Sequence, residues 1–394
     1  MTNVPVGSSV AIPAASLCLA LLSDSTRAMA AARVKQVLKQ YGKVALVFHS
    51  SVFVSTFAAT YGAIHYGVDV RKQLDRVPFV DASRIDPEAG TVAIAYLATI
   101  ATAPGRRLFA TVARKPVVAG KVSPRRSVPA HIVRPHYAEK AGMSNMRPFI
   151  PILDKHQQQK LRAACGLAGD ILAFASSLIE VGRPTDEIDR IVHEEIIRRG
   201  AYPSPLNYGG FPKSLCSSVN EIVVHGIPDS RELEDGDIVN IDISVYLDGF
   251  HGDTSQTFLV GNVDDQGKRL VEVTNRALLE SIEHVCKPRE RFAAIGAFIQ
   301  RLVEDEGFTV NREYTGHGIG QEFHSLPFIL HHRNGEPGHM LPGMAFTVEP
   351  AVCEGSPEIL HWDDNWTVAT VDGKRSAQAE HTVLITENGA EILT

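Results

Sequence analysis

From residue 155 onward the apolar positions follow two rhythms. In HQQQKLRAACGLAGDILAFASSLIE, Leu161, Cys165, Ala168, Ile171, Leu172 and Ala175 recur at helical spacing. PTDEIDRIVHEEIIRRG repeats the pattern, with Ile188, Ile191, Val192 and Ile196 on one face. Thr185 is placed to cap that helix, Asp186 and Glu187 fall in its first turn, and Arg198, Arg199 and Gly200 end it. Two more helices are predicted over 268–283 and 291–306. Between the helices the pattern becomes strand-like. In DIVNIDISVYLDGFHGDTSQTFLVG two such runs flank Asp248-Gly249, a favoured two-residue hairpin turn. MAFTVEP and SAQAEHTVLIT are further predicted strands. Helices mixed with antiparallel hairpins point to an α+β fold rather than a doubly wound parallel sheet.

The front of the chain is patterned differently. Residues 44–68 contain no Lys, Arg, Asp or Glu, a run of 25 residues. At ~1.5 Å per residue such a helix is long enough to cross a ~30 Å hydrocarbon layer. His49, His65 and several Ser and Thr residues lower its hydrophobicity, and the second uncharged run, 89–105, carries Pro104. Two readings stand: a helical, membrane-associated module over 44–115, or two buried helices of a small soluble domain. Arg106, Arg107, Arg114 and Lys115 would suit anionic headgroups in the first. Residues 1–43 hold five basic residues and one acid, Asp24, as organelle transit peptides do. The tract 116–147 combines Pro116, Pro124, Pro129 and Pro135 with Lys121, Arg125, Arg126, Arg134 and Lys140, and reads as a basic, extended linker. No specific nucleic-acid partner is predicted for it.

Charge and cysteine usage sharpen this division. The net charge of −6 is +11 over residues 1–145 and −17 over 146–394, which suggests two modules with different partners. Five scattered cysteines form no CxxC pair. That opposes a disulfide scaffold or a cysteine-based zinc site and favours a reducing compartment.

The candidate chemistry lies in the acidic part. A two-residue turn at Asp248-Gly249 sets Asp242 opposite Ser255 and Asp253 opposite Ser244. Asp242 and Asp253 then share one face of the hairpin as diagonal neighbours. Two carboxylates that close repel unless a cation or a proton lies between them. A solvated acidic face is the plainer alternative, but Ile241, Ile243 and Val245 mark a packed strand. Further candidates are His317 in TGHGIG, Glu349 in FTVEP and Glu380 in SAQAEHTVLIT. Two Asp, two Glu and one His form an oxygen-rich set suited to Mn, Fe, Co or Zn, and able to hold two ions where carboxylates bridge. His331 and His332 lack such a context and are expected at the surface.

These residues, with YPSPLNYGGFPKSLCSSVNEIVVHGIPD and TGHGIGQEFHSLP, resemble type 1 methionine aminopeptidases, and PSPLNYGGFPKS resembles their mitochondrial branch. The resemblance runs over 148–394 and implies a catalytic domain of the pita-bread fold, a curved antiparallel sheet with helices outside. It implies two divalent metal ions held by Asp242, Asp253, His317, Glu349 and Glu380. Asp253 and Glu380 would bridge, Asp242 would serve one ion, and His317 with Glu349 the other. It makes His225, His324 and Glu349 catalytic, both histidines also touching substrate. Tyr208, Phe211, Cys216, Phe323 and Trp366 would line the methionine pocket. The implied reaction removes the N-terminal methionine from nascent or organelle-made proteins with a small second residue, by a monomeric catalytic domain. Ala379 departs from the family, which usually has an aromatic before the position of Glu380. The module around YGKVALVFHSSVFVSTFAATYGAIHYGVDV resembles a small organellar membrane-associated domain family of unknown function. Together these imply a mitochondrial location, with the plastid as alternative.

Proline-specific peptidases of the same fold share the five ligands, so the ligands alone do not separate the two; PSPLNYGGFPKS and VVHGIPD favour methionine. A metal-free binding protein is opposed by the presence of all five. A chain acting mainly as a membrane adaptor is the third reading.

Overall fold

The computed structural model describes residues 116–145 and 148–394. All of these fall within one compact unit, Lys115–Thr394. The expectations for a transit peptide and a membrane-associated module concern residues outside those described. Among the described residues, no helix is long and apolar enough to cross a membrane.

Four helices lie at the predicted places: α1 (Lys155–Ser176), α2 (Thr185–Arg198), α3 (Asp265–Val285) and α4 (Phe292–Asp305). Asp154 starts α1 with a capping box, accepting from the Gln157 N–H while the Gln157 side chain accepts from its own. Thr185 does not cap α2. Pro184 occupies the cap position, and the Thr185 hydroxyl instead donates to the Asp229 carbonyl.

The main sheet has nine strands, all paired antiparallel: β1 (Tyr202–Pro203), β2 (Cys216–Val219), β4 (Ile238–Leu247), β5 (Phe250–Leu259), β7 (Gly316–Gly318), β8 (Ser325–Ile329), β9 (Ala345–Val348), β14 (Glu380–Ile385) and β15 (Ala390–Ile392). Its order is β1-β4-β5-β14-β9-β7-β8, with β2 beside β4 and β15 beside β14. Two three-stranded sheets complete the fold: β6 (Thr309–Val310), β10 (Ala351–Cys353) and β13 (Ser376–Gln378), and β3 (Ile222–Val224), β11 (Ile359–His361) and β12 (Val368–Thr370).

Alternation along β4 decides which face the helices cover. Val239, Ile241, Ile243 and Val245 pack against Ala168, Ile171 and Leu172 of α1 and Ile188, Val192 and Ile196 of α2. In the other half, Phe346, Val348, Val383 and Ile385 meet Ile295, Ile299 and Val303 of α4 and Leu270 and Val273 of α3. Apolar burial on this outer face, worth roughly 25 cal/mol per Å², orients the strands. Asn240, Asp242 and Ser244 are left on the opposite face. Gly252 shows how tightly the layers meet: a Cβ there would lie 2.4 Å from the Ala164 carbonyl carbon of α1.

The tract read as an extended linker has no helix or strand over 116–129, turns at 130–132 and 136–140, and is docked along its length. Lys121 N–H donates to Ser230 Oγ at 2.8 Å, and Arg126 pairs with Asp186 and Asp189 at 3.3 and 3.2 Å. Tyr137 is buried, and its hydroxyl donates to the Ser204 carbonyl.

Ala379 joins β13 to β14 and is 2% exposed within the larger apolar cluster, so its neighbours fill the space an aromatic would need. Overpacking a close-packed interior costs about 1–3 kcal/mol. Ala379→Phe is expected to lower the unfolding free energy measured in urea by that amount, with and without metal. A variant that melts higher in both conditions would show that the space is open.

Candidate metal centre

The hairpin builds the first two ligands. Asp248 and Gly249 have φ of 49° and 87°, as a type I′ turn requires. The register follows: Leu247 pairs with Phe250, Ser244 with Asp253 and Asp242 with Ser255, as the sequence arithmetic expected. Asp253 and Asp242 project from the face that the helices do not cover. Ser244 Oγ donates to Asp253 Oδ1 at 2.7 Å, which fixes that carboxylate.

β14 adds Glu380, whose Cα partner on β5 is Ser255. The Thr254 hydroxyl donates to the Glu380 carbonyl, and that of Thr382 to the Asp253 carbonyl, so these two strands cannot slip independently. His317 sits in the middle of β7, between β8 and β9. A Cβ at Gly316 would lie 2.3 Å from the Thr347 carbonyl oxygen, and one at Gly318 2.0 Å from that of Leu326. The flanking glycines therefore let this short strand enter a gap that side chains would close. His317 itself is buried.

Asp253, His317 and Glu380 each offer one ligand atom, all within 4.8 Å of one another. His317 Nδ1 is 3.3 Å from the Gly318 carbonyl, which favours a proton on Nδ1. Its Nε2 is 3.7 Å from Asp253 Oδ2 and 3.6 Å from Glu349 Oε1. Glu349 follows β9. Its carboxylate accepts from the Thr347 hydroxyl at 2.7 Å and from Gln378 Nε2 at 3.1 Å. Asp242 lies opposite Cys216 of β2.

Electrostatics show what this cluster lacks. Burial pushes the Asp242 carboxyl up to about 7. Burial first, then the neighbouring acids, raises Asp253, Glu349 and Glu380 as well. Burial lowers His317 to about 4. Asp242 Oδ1 and Glu380 Oε1 are buried without a hydrogen-bond partner. Orphaned carboxylate oxygens are costly unless a proton or cation joins them. Hard oxygen donors with one neutral imidazole fit divalent ions, so this residue set suits the metals that its sequence implies.

Two histidines and an aromatic group border the centre. The His324 ring lies 4.1 Å from that of His317, with Nδ1 2.9 Å from the Tyr208 hydroxyl. Burial holds His324 well below the usual histidine range and His225 at about 4, so both are neutral near pH 7. Trp366 meets Phe211 edge-on at 5.2 Å and His225 at 5.9 Å. Phe323 meets Tyr208 edge-on at 5.0 Å. Cys216 is buried beside Asp242. The structure thus brings Asp253, His317 and Glu380 within 4.8 Å of one another, with Glu349 and His324 beside His317.

One expectation is corrected. His331 is buried, and its Nε2 accepts the Glu349 backbone N–H at 3.0 Å. Surface composition around it concealed this, because the loop's other residues, including His332, are more open. Sequence reasoning also missed Thr347 and Gln378. Each lies two residues before an acid, Glu349 or Glu380, a same-face spacing on a strand that could have revealed them.

Residues 159–387 match the model for metallopeptidase family M24. The chain belongs to that family. It is 50% identical over 281 residues to methionine aminopeptidase 1D, chloroplastic/mitochondrial, of Arabidopsis thaliana, covering 71% of this chain and 80% of that protein. It is also 50% identical to mitochondrial methionine aminopeptidase 1D of Homo sapiens, covering 71% and 83%. The crystal structure of methionine aminopeptidase from Rickettsia prowazekii superposes with a TM-score of 0.61 at 43% identity, covering 62% of this chain and all of the other. The fold is therefore the pita-bread fold of this family. Residues 32–117 match a FAM210A/B-like domain.

The raised carboxyls give a pH test in chelator. Between about pH 4 and pH 7 the folded, metal-free protein keeps the Asp242 proton, whereas the unfolded chain has released it. Stability from this group therefore falls as pH rises through that window. The buried histidines titrate in the opposite sense and Asp253, Glu349 and Glu380 in the same sense, so the difference between wild type and Asp242→Asn reports Asp242 together with its effect on those three acids. Asp242→Asn is expected to gain stability relative to wild type from pH 4 to pH 7 in denaturant melts with EDTA. A constant difference would show that burial does not raise this carboxyl.

Proposed function

We propose that this chain removes the N-terminal methionine from polypeptides whose second residue is small. The observation that carries the reading is one juxtaposition: Asp253, His317 and Glu380 offer ligand atoms within 4.8 Å of one another, with Glu349 and the neutral His324 beside His317. Asp242, Asp253, His317, Glu349 and Glu380 would hold two divalent ions, with Asp253 and Glu380 shared between them. Bound there, such ions would acidify a water molecule and polarise a carbonyl.

The remaining roles belong to side chains. Glu349 is held from both oxygens by Thr347 and Gln378, which leaves it oriented to take a proton from the attacking water and pass it to the leaving amine. His324 is neutral and anchored through Nδ1, and donates from its other nitrogen to the reacting amide. His225 has a φ of 57° and lies edge-on to Trp366 and Tyr314. His225 would meet the substrate from beside Trp366. Tyr208, Phe211, Cys216, Phe323 and Trp366 offer a soft, polarisable lining that suits a thioether. A proline-specific peptidase would need a pocket for a pyrrolidine ring after the scissile bond rather than this one before it.

Location rests on the acid-poor leader 1–43 and on relatives named mitochondrial and chloroplastic. We place the protein in mitochondria, with residues 44–115 as its membrane-associated module, and assign the catalytic work to 148–394. Cell fractionation of a tagged full-length chain tests this. Recovery in the mitochondrial pellet after carbonate extraction is expected. Release into the carbonate supernatant would remove the membrane assignment, and recovery in plastids would change the compartment.

Peptide turnover tests the reaction. Met-Ala-Ser, Met-Gly and Met-Ser peptides are expected to be cut, while Met-Lys, Met-Leu and Ala-Pro-Gly resist. Asp253→Asn should lose metal and rate together. His324→Ala should lose about 100-fold in rate, as removal of one preorganised donor does, and keep its metal. Preference for Ala-Pro-Gly would replace this reading, and metal loss in His324→Ala would make that residue a ligand.

A further inference from the structure

The docked tract 116–145 ends inside the candidate site, upstream of residue 159, where the family model begins. Gly142 bridges Tyr208, and the Gly209 N–H donates to the Gly142 carbonyl at 2.9 Å. A Cβ at Gly209 would meet Met143 Sδ at 2.9 Å and Trp366 at 3.0 Å, so Met143 lies against the wall of the aromatic pocket. The next residue, Ser144, touches both the catalytic histidine and its partner Tyr208. Its Oγ accepts the His324 backbone N–H at 2.9 Å. Its own N–H donates to the Tyr208 hydroxyl at 3.2 Å, and the two hydroxyl oxygens are 3.3 Å apart. The Tyr208 hydroxyl in turn is 2.9 Å from His324 Nδ1.

We propose that Ser144 is a positioning residue that fixes the tautomer of His324, leaving the proton on Nε2. The inference rests on the reading of His324 as a donor in the reaction. Tyr208 has one proton and two acceptor sites. Ser144 can fill both sites, with its N–H and its hydroxyl. The phenol proton then goes to Nδ1, the Nε2 proton is left for the substrate, and with substrate bound every proton of the cluster has an acceptor. In the opposite arrangement, Nδ1–H donates to Tyr208 and the phenol donates to Ser144 Oγ. The Ser144 hydroxyl proton then has no acceptor within the cluster. Ser144 and His324 are half-buried, so it is the substrate closing over the cluster that favours the arrangement using all the donors. A neutral imidazole can donate a hydrogen bond from that edge only when Nε2 carries the proton. The tract thus belongs to the catalytic apparatus: it reaches the reacting atoms through Tyr208 and His324.

The test uses the full chain loaded with zinc and a Met-Ala-Ser peptide. Ser144→Ala is expected to lower kcat by about 5- to 10-fold, the size of one hydrogen bond, with KM little changed. Ser144→Thr keeps the hydroxyl and should restore kcat. Combining Ser144→Ala with Tyr208→Phe should lower kcat no further than Tyr208→Phe alone, because both act on the same proton. Nitrogen NMR of histidine-labelled protein, with the His324 signals identified by their loss in His324→Gln, should show a bare Nδ1 and a protonated Nε2. Full kcat in Ser144→Ala, an equal loss in Ser144→Thr, or a proton on Nδ1 in the wild type overturns the proposal. Full rate in His324→Ala would instead overturn the reading beneath it.

Discussion

Four carboxylates and one imidazole crowd a single face of the sheet, and the rest of the catalytic unit answers to their mutual repulsion. In a dry interior each charge would be costly alone, and together they raise one another's proton affinity. The cluster persists because three of its members are pinned by the frame rather than by their neighbours. Ser244 fixes Asp253, Thr347 and Gln378 fix Glu349, and the Gly318 carbonyl orients His317. The orphaned oxygens of Asp242 and Glu380 are the part of this arrangement that only a cation or a proton completes.

The frame gains its rigidity from the opposite face. Strand alternation sends Val239, Ile241, Ile243 and Val245 to the helices and Asp242 to the site, so the same strand supplies anchorage and chemistry. A slip of one residue would exchange these sets. The tight hairpin at Asp248-Gly249 prevents this on one side, and the crossed hydroxyl–carbonyl bonds between β5 and β14 prevent it on the other. Gln378 links the two sheets as well. Its carbonyl accepts from Asn240 and Thr257 while its amide holds Glu349.

What the sequence revealed tracks how local each constraint is. The four helices and the Asp242–Asp253 face were legible because periodicity and a two-residue turn are local facts. His317, Glu349 and Glu380 could be singled out as unusual residues, but their convergence depends on β7, β9 and β14 meeting across the sheet. Periodicity does not encode that meeting, and the family resemblance supplied it. His331 was misread because burial of a loop residue depends on what packs over it, here the chain around Glu349. Thr185 was misread by the smallest margin: the helix began one residue earlier, and its hydroxyl was already engaged by Asp229.

The tract 116–145 was misjudged for a different reason, and the reason bears on how the chain divides. Proline-rich, basic and without periodicity, it has the composition of a free connector. Composition describes what a segment cannot form by itself; it does not describe what another surface can do for it. Asp186 and Asp189 on α2 receive Arg126, Asn207 receives Arg125, and Ser204 receives the Tyr137 hydroxyl. Such a tract needs no secondary structure of its own, because its backbone groups find partners on the folded unit. Part of the positive charge that made the front of the sequence look like a separate basic module is therefore neutralised within the acidic one. The split in charge falls near residue 145, but the split in packing falls near residue 115. With Ser144 against Tyr208 and His324, the physical boundary of the catalytic unit lies before the tract rather than after it.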